Sequence, residues 1–374
     1  MNIIYLEWKG LQDEAMCRAF EEAGHAVVRL PFAGETAAGE QLQLMLGEKQ
    51  KEKSSDTVFS LDYFPEVSDC CMELGLRYVS WICDKVSSRG YSANVVNPCN
   101  AIFVFDYMMY EELCSGGIDT VYYLPLGLGM WKLSEGEKLR EASDDLTAQK
   151  TILLHKLKES EGKKLSEIFA GMDDFTRGYL DGVIQAQKQV RQHGFLEEML
   201  TTQILQKLEE TCPIKSEGSL LSLGALYADW VFYPYITALE QQEIKRLLQD
   251  KYEVTECEET LTPAKININI TPRNIKTGIT QWAMEVMGRG GFLLSDYQQE
   301  LFEYFEEGKD FVCYLDHEDL LAKVDYYSQH HEEREQIARN GCQKVLEAHT
   351  LQQRVNSMFI TLQERTQCES SPQF

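Results

Sequence analysis

The chain has 374 residues, 60 of them acidic against 36 basic, for a formal net charge of −24. That length suits two or three domains with large cores, and so acidic a surface argues against a nucleic-acid backbone or an anionic bilayer as partner, because both need a basic face. A small anionic ligand, which a few local cations can hold, stays open. Eleven scattered cysteines without a Cys-x-x-Cys pair, no signal peptide before the first strand and no apolar run near the ~20 residues that span a bilayer predict free thiols in a cytoplasmic protein. The seven histidines form no HExxH or HxxxH pattern, and His330-His331 reads as solvated at the head of a charged helix.

Strands and helices alternate through the first third. Ile3-Ile4-Tyr5-Leu6 reads as a strand, then a helix carries Leu11, Ala15, Met16, Ala19 and Phe20 to Gly24, and Ala26 to Leu30 is the next strand. Residues 35–53 read as a charged helix, Thr57 to Leu61 as a strand, Val67 to Leu74 as a helix closed by Gly75, and Tyr78 to Ile82 as a strand. Ala101 to Phe105, a helix from Tyr107 to Cys114 and a last strand from Val121 to Leu124 follow. This order predicts a parallel sheet covered on both faces, a Rossmann-like domain over about residues 1–127. Ligands of such sheets bind beyond the C-terminal strand ends, where Glu7, Asp62, Asp84 and Asp106 stand. Each suits a general base for a hydroxyl; Asp84 is the first choice and Asp62 the second. No G-x-G-x-x-G follows the first strand, where Glu7-Trp8-Lys9-Gly10 stands, which argues against a dinucleotide oxidoreductase.

Residues 128–150 are polar and acidic and read as a linker, and Thr151 to Leu154 as a short strand. From 165 to 208 the pattern is helical nearly throughout, with Leu180, Val183, Ile184 and Gln187 at three-and-four spacing, a packing insertion reaching about residue 212. Beyond Pro213 come an apolar stretch from Leu220 to Tyr227, a helix from Tyr235 to Leu248 and a strand around Tyr252 to Thr255.

The most informative stretch runs from Ala264 to Ser295. Ile266, Ile268 and Ile270 alternate with Asn267 and Asn269 as a strand does; a polar loop, Thr271-Pro272-Arg273-Asn274-Ile275-Lys276-Thr277-Gly278, leads into a helix with Ile279, Trp282, Ala283, Val286 and Met287; glycines 288, 290 and 291 end it before Phe292-Leu293-Leu294. In this βαβ unit the loop opens onto a helix N-terminus, which favours an anion, and Arg273 and Lys276 add charge for a phosphate. A helix from Glu300 to Phe305, a strand from Phe311 to Tyr314 and helices from Leu320 to Tyr327 and Glu332 to Leu346 complete a second Rossmann-like domain over residues 151–350. Residues 351–374 begin as an amphipathic helix with Val355, Met358, Phe359 and Leu362 and end in a polar, frayed segment.

INITPRNIKTGI, MGRGGFLLSDYQQEL, FEEGKD and HEEREQIARNG, in that order and spacing, resemble the C-terminal half of the CgeB-type (spore-maturation) glycosyltransferase-like family of bacteria. IIYLEWKG, FSLDYFPEVSDCC, YVSWICD, NAIFVFDYMMYEEL and VYYLPLGL resemble its N-terminal domain, and FTRGYLDGVIQAQ and FLEEMLT its helical middle. The resemblance implies an α/β, GT-B-like architecture: two Rossmann-like domains with parallel sheets facing a cleft, plus the helical insertion. A nucleotide-sugar donor, a UDP- or GDP-sugar, is implied on the second domain, and an acceptor, a protein or a cell-surface or spore glycan, on the first. The position matching the family's ribose-binding acid is Glu285. Arg273, Lys276 and the amide of Gly278 are implied to hold the diphosphate, and Tyr297, Gln298 and Glu300 match the segment near the donor. No metal or covalent cofactor is implied, and the chain has no Asp-x-Asp pair.

The chain also departs from that family. Trp282 stands where an arginine is usual, His155-Lys156 where Gly-Ser is, Gln241 where another arginine is, and the stretch between Glu258 and Ala264 is shortened. The sequence therefore carries two expectations: an active sugar transferase, and a catalytically degenerate relative of the same fold that acts as a binding or partner subunit.

Overall fold

The computed structural model describes residues 1–34, 39–53, 57–83, 88–129, 151–155, 169–190, 194–214, 218–257 and 264–370. Two sheets, parallel throughout, organise them. The first holds β1 (Asn2–Glu7), β2 (Ala26–Pro31), β3 (Thr57–Leu61), β4 (Arg77–Ile82), β5 (Asn100–Val104) and β6 (Val121–Tyr123), in the order β2-β1-β3-β4-β5-β6. The second holds β7 (Thr151–His155), β8 (Glu253–Cys257), β9 (Ile266–Asn269), β10 (Leu293–Asp296) and β11 (Val312–Tyr314), in the order β11-β10-β9-β7-β8.

Central strands β3 and β5 are buried along their whole length, whereas edge strand β2 buries only Leu30. Their mostly apolar runs, with Ser60 the one polar residue among the inner positions of β3, are what a strand covered on both faces requires. Ile4, Leu6, Val58 and Tyr78 pack on one side of the first sheet, and Ile3, Tyr5, Phe59 and Trp81 on the other. Among the described residues no helix is long and apolar enough to cross a membrane.

The insertion differs from the long helix that the sequence suggests. It breaks into Asp174–Gln189, Leu196–Met199 and Thr202–Thr211. Side chains supply the breaks: Gln187 donates to the carbonyl of Val190 and accepts from the amide of Phe195, while Asp173 and Thr201 cap the flanking helices. Farther on, Leu223–Tyr227 runs through one π-helical turn, Ala228–Phe232, into the helix Tyr233–Gln249, where Pro234 sits in the first turn.

The chain passes between the sheets twice, side by side. Outgoing Leu128 donates to the carbonyl of His349, and returning Leu351 donates to the carbonyl of Leu128. Gly127 lies so close to the return that a Cβ there would stand 2.9 Å from Arg354 Cγ and 3.2 Å from the backbone of Thr350. The last helix, Leu351–Ser370, then packs on the first domain, where Val355, Met358, Phe359 and Leu362 join Ile3, Tyr5 and Phe20 in one cluster. The amphipathic pattern was legible in the sequence; its partner, the other end of the chain, was not.

Candidate functional site

Strand β9 ends in a network that fixes the loop after it. The Asp296 carboxylate accepts from the amide (3.0 Å) and hydroxyl (2.8 Å) of Thr271, and Asn269 Nδ2 reaches the Ser295 hydroxyl at 3.0 Å. Thr280 caps the helix Gln281–Gly288 by accepting from the amide of Ala283, and it donates to Asn269 Oδ1. With both ends tied, residues 272–279 project toward the first domain.

That loop meets Asp106, at the end of β5. One oxygen of its buried carboxylate accepts from three successive amides, Lys276 (2.6 Å), Thr277 (3.2 Å) and Gly278 (3.5 Å). The other oxygen accepts from the Thr277 hydroxyl (3.1 Å) and from the amide of Met109, as N-cap of the helix Tyr107–Ser115. Gly278 makes the approach possible: a Cβ there would stand 2.9 Å from the Phe105 ring and 3.2 Å from Asp106 Cα.

Glu300 closes the same contact. It is buried, accepts from the amide of Tyr107 (2.9 Å) and the hydroxyl of Tyr123 (2.6 Å), and lies 2.9 Å from the Thr277 hydroxyl. Thr277 has one hydroxyl proton and two carboxylate neighbours. With that proton on Asp106, the contact to Glu300 needs a proton from Glu300 itself. Burial, helped by the charge of Asp106, pushes the Glu300 carboxyl up to about 7, so it holds that proton in weak acid.

The structure places the remaining predicted residues as follows. Arg273 turns away from the seam: its guanidinium forms a buried pair with Glu240 of the helix Tyr233–Gln249 (3.0 Å) and donates to the carbonyl of Lys188 in the insertion. Lys276 Nζ pairs with Glu112 at the surface. Glu285 is fully buried and accepts from Arg289 (2.7 Å), Gln281 (2.8 Å) and the amide of Gly129 (3.0 Å). Tyr297 is exposed against Phe302, and buried Gln298 reaches the carbonyl of Ile275. Trp282 packs in the core with Leu153, Ile279, Leu293 and Phe305, and Gln241 is buried in the helix Tyr233–Gln249.

In the first domain Asp62 adopts φ 58, a conformation uncommon outside glycine. Its carboxylate pairs with Lys9 at 2.7 Å and accepts from the amide of Cys83 at 3.1 Å, tying β1, β3 and β4 together at their C-terminal ends. Asp84 lies outside the described residues, as do most of the linker (130–150), Lys156, residues 258–263 and the last four positions.

One group escaped sequence reasoning. Asp229 sits on the π-helical turn, and burial pushes its carboxyl up to about 7; Lys276 opposes that shift, while Glu112 and Glu197 reinforce it. Three segments therefore meet there: the insertion, the helix Tyr107–Ser115 and the loop after β9. A half-buried acid among other acids, beside one cation, is a candidate for proton transfer at neutral pH. Nothing in the run Tyr227-Ala228-Asp229-Trp230 signals this, because the π turn that aims it has no residue signature. Among the described residues no cluster of His, Cys, Asp and Glu has a metal-holding arrangement.

Residues 225–359 match the family described as "Glycosyl transferase-like". A glycosyltransferase from Rickettsia africae ESF-5 superposes with a TM-score of 0.55 at 10% identity, covering 99% of each chain. Sucrose-phosphate synthase from Thermosynechococcus elongatus gives 0.54 at 11% identity, over 98% of this chain and 100% of that one. Anabaena HepE in complex with UDP and glucose gives 0.52 at 11% identity, over 97% and 100%. The fold is GT-B. No curated protein matches the chain. In this GT-B architecture Asp106, Thr277 and Glu300 occupy the seam between the domains, and the family match spans Asp229, Glu285 and the loop after β9.

Proposed function

We propose that the protein transfers a sugar from a nucleoside-diphosphate donor to an acceptor hydroxyl. The observation that carries this reading is the loop after β9, whose three successive amides converge on a carboxylate oxygen. A run of amides that holds one anion at the carboxyl edge of a parallel sheet suits a phosphate as well. In this reading the acceptor oxygen bonds to the anomeric carbon, the bond from that carbon to the diphosphate breaks, and the nucleoside diphosphate leaves. The amides of 276–278 and the Lys276 ammonium take up the charge that develops on it. The acceptor proton passes to Asp229. In this reading Asp62 and Asp84 belong to the acceptor domain, Glu285 serves ribose hydroxyls only once Arg289 and Gln281 release it, and Tyr297, Gln298, Glu300 and Arg273 serve the donor, Arg273 only after leaving Glu240. The donor is a UDP- or GDP-sugar, and HepE, solved with UDP and glucose, supports that class. The CgeB-type resemblance supports a protein or a cell-surface or spore glycan as acceptor and a metal-independent reaction, and the scattered cysteines of the sequence, without a Cys-x-x-Cys pair, support a cytoplasmic setting.

Thermal stabilisation tests the donor. A Kd of ~10 μM at ~1 mM UDP, GDP or their sugars gives about 2.7 kcal/mol of protection. Asp229→Asn should then lower kcat/KM by ~10²–10⁴ and leave that protection intact. An unchanged rate removes Asp229 from the mechanism.

A second reading rests on a specific observation. Arg273 is committed to Glu240, Glu285 to Arg289, and the loop amides to Asp106. A GT-B relative with its donor groups so engaged serves as a binding or partner subunit. No shift with any nucleotide would favour that reading.

A further inference from the structure

The carboxylate in the loop belongs to the other domain. Asp106 stands at the end of β5 in the first sheet; the amides that hold it follow β9 in the second. A phosphate cannot share these amides with Asp106, because both anions need the same three donors. The contact is also built close, with Gly278 against Phe105, and is fully buried. A strut between two domains does not need two carboxylates on one hydroxyl. An asparagine at 106 would accept from the three loop amides through its Oδ1 and donate to the Thr277 hydroxyl through its Nδ2, at the loss of the single bond from the Met109 amide and with no charge opposite Glu300. A charge here makes sense if the seat is shared in turn with another anion.

We infer that Asp106 is an internal occupant of the phosphate seat, a latch that holds the two domains together until a phosphate-bearing ligand displaces it. The inference rests on the donor reading above and adds how that site is controlled. Entry of the ligand breaks the contact at the seam, and its departure lets the carboxylate return. The apparent affinity for phosphate is reduced by the fraction of molecules whose seat is filled from within. No covalent step is involved; one anion replaces another on the same donors.

The test uses the full chain and inorganic pyrophosphate. Asp106→Ser keeps an N-cap oxygen for the helix Tyr107–Ser115 but is too short to reach the loop, and Asp106→Asn keeps the length without the charge. Asp106→Ser should bind pyrophosphate about tenfold more tightly or better, and small-angle scattering should show a larger radius of gyration without ligand. Asp106→Asn should fall between it and the parent. Binding of pyrophosphate and UDP by the parent with no gain in Asp106→Ser overturns the latch and leaves the donor reading standing. No binding of either ligand by any of the three proteins overturns both. Unaltered scattering alongside tighter binding overturns the claim that the contact holds the domains.

Discussion

Two parts of the interdomain surface use the same kind of residue to opposite ends. At the seam, Asp106 and Glu300 are buried, and amides and hydroxyls from both domains surround each of them. On the π-helical turn, Asp229 lies half-buried, with Glu112 and Glu197 adding to the rise of its carboxyl and Lys276 opposing it. The first arrangement spends the carboxylates on holding backbone in place. Burial pushes a carboxyl up to about 7 in both places, Glu300 at the seam and Asp229 on the π-helical turn. Their partners separate them: an amide and two hydroxyls drawn from both domains make Glu300 a tie, whereas Asp229, among like charges, is the one proposed as a base.

The largest way to disturb this contrast is Arg273→Ala, which leaves Glu240 buried without its guanidinium and should cost ~3–5 kcal/mol in denaturant unfolding of the second domain. Restoration of much of that by adding Glu240→Gln would show the loss is the stranded charge. Gly278→Val forces a side chain against the Phe105 ring and should cost ~1–3 kcal/mol, with the domains parting in scattering. An unchanged midpoint would mean that the seam is loose. Smaller again is a pH effect. Glu300 faces Asp106, Thr277, Tyr123 and the amide of Tyr107, with Tyr304 and Arg354 behind Tyr123. Its carboxyl is raised in the folded state, so the folded protein holds the proton more tightly. Stability is then full below the ordinary carboxylate range and falls as pH rises through about 7. Glu300→Gln should flatten that fall between about pH 5 and about pH 8, and a slope kept intact would place its origin elsewhere. The smallest effect is Lys276→Ala. Its pair with Glu112 is exposed, so stability should change by less than about 1 kcal/mol, while nucleotide protection drops by more than that.

Much of the fold was legible because strand–helix alternation and short apolar runs with glycine stops encode parallel sheets directly. Runs such as Val58-Phe59-Ser60-Leu61 and Ile266 to Ile270 admit one local answer, and the observed strands follow them. The site was legible only by place. The loop 271–278 could be read as an anion seat, but its occupant comes from a residue 170 positions earlier, and only the meeting of two sheets brings it there. Arg273 read as a ligand for phosphate because nothing local shows that Glu240 will lie beside it. Asp229 was invisible for a related reason: burial and like charges from Glu112 and Glu197 set its chemistry, and neither is a neighbour in sequence.

The helix Leu351–Ser370 has a consequence for the order in which the protein can be made. Val355, Met358, Phe359 and Leu362 complete the apolar layer over Ile3, Tyr5 and Phe20. As the ribosome releases the chain, the domain translated first therefore waits, with part of its interior wet, for a segment translated after the whole second sheet. The second domain can settle on its own schedule; the first is completed only after it.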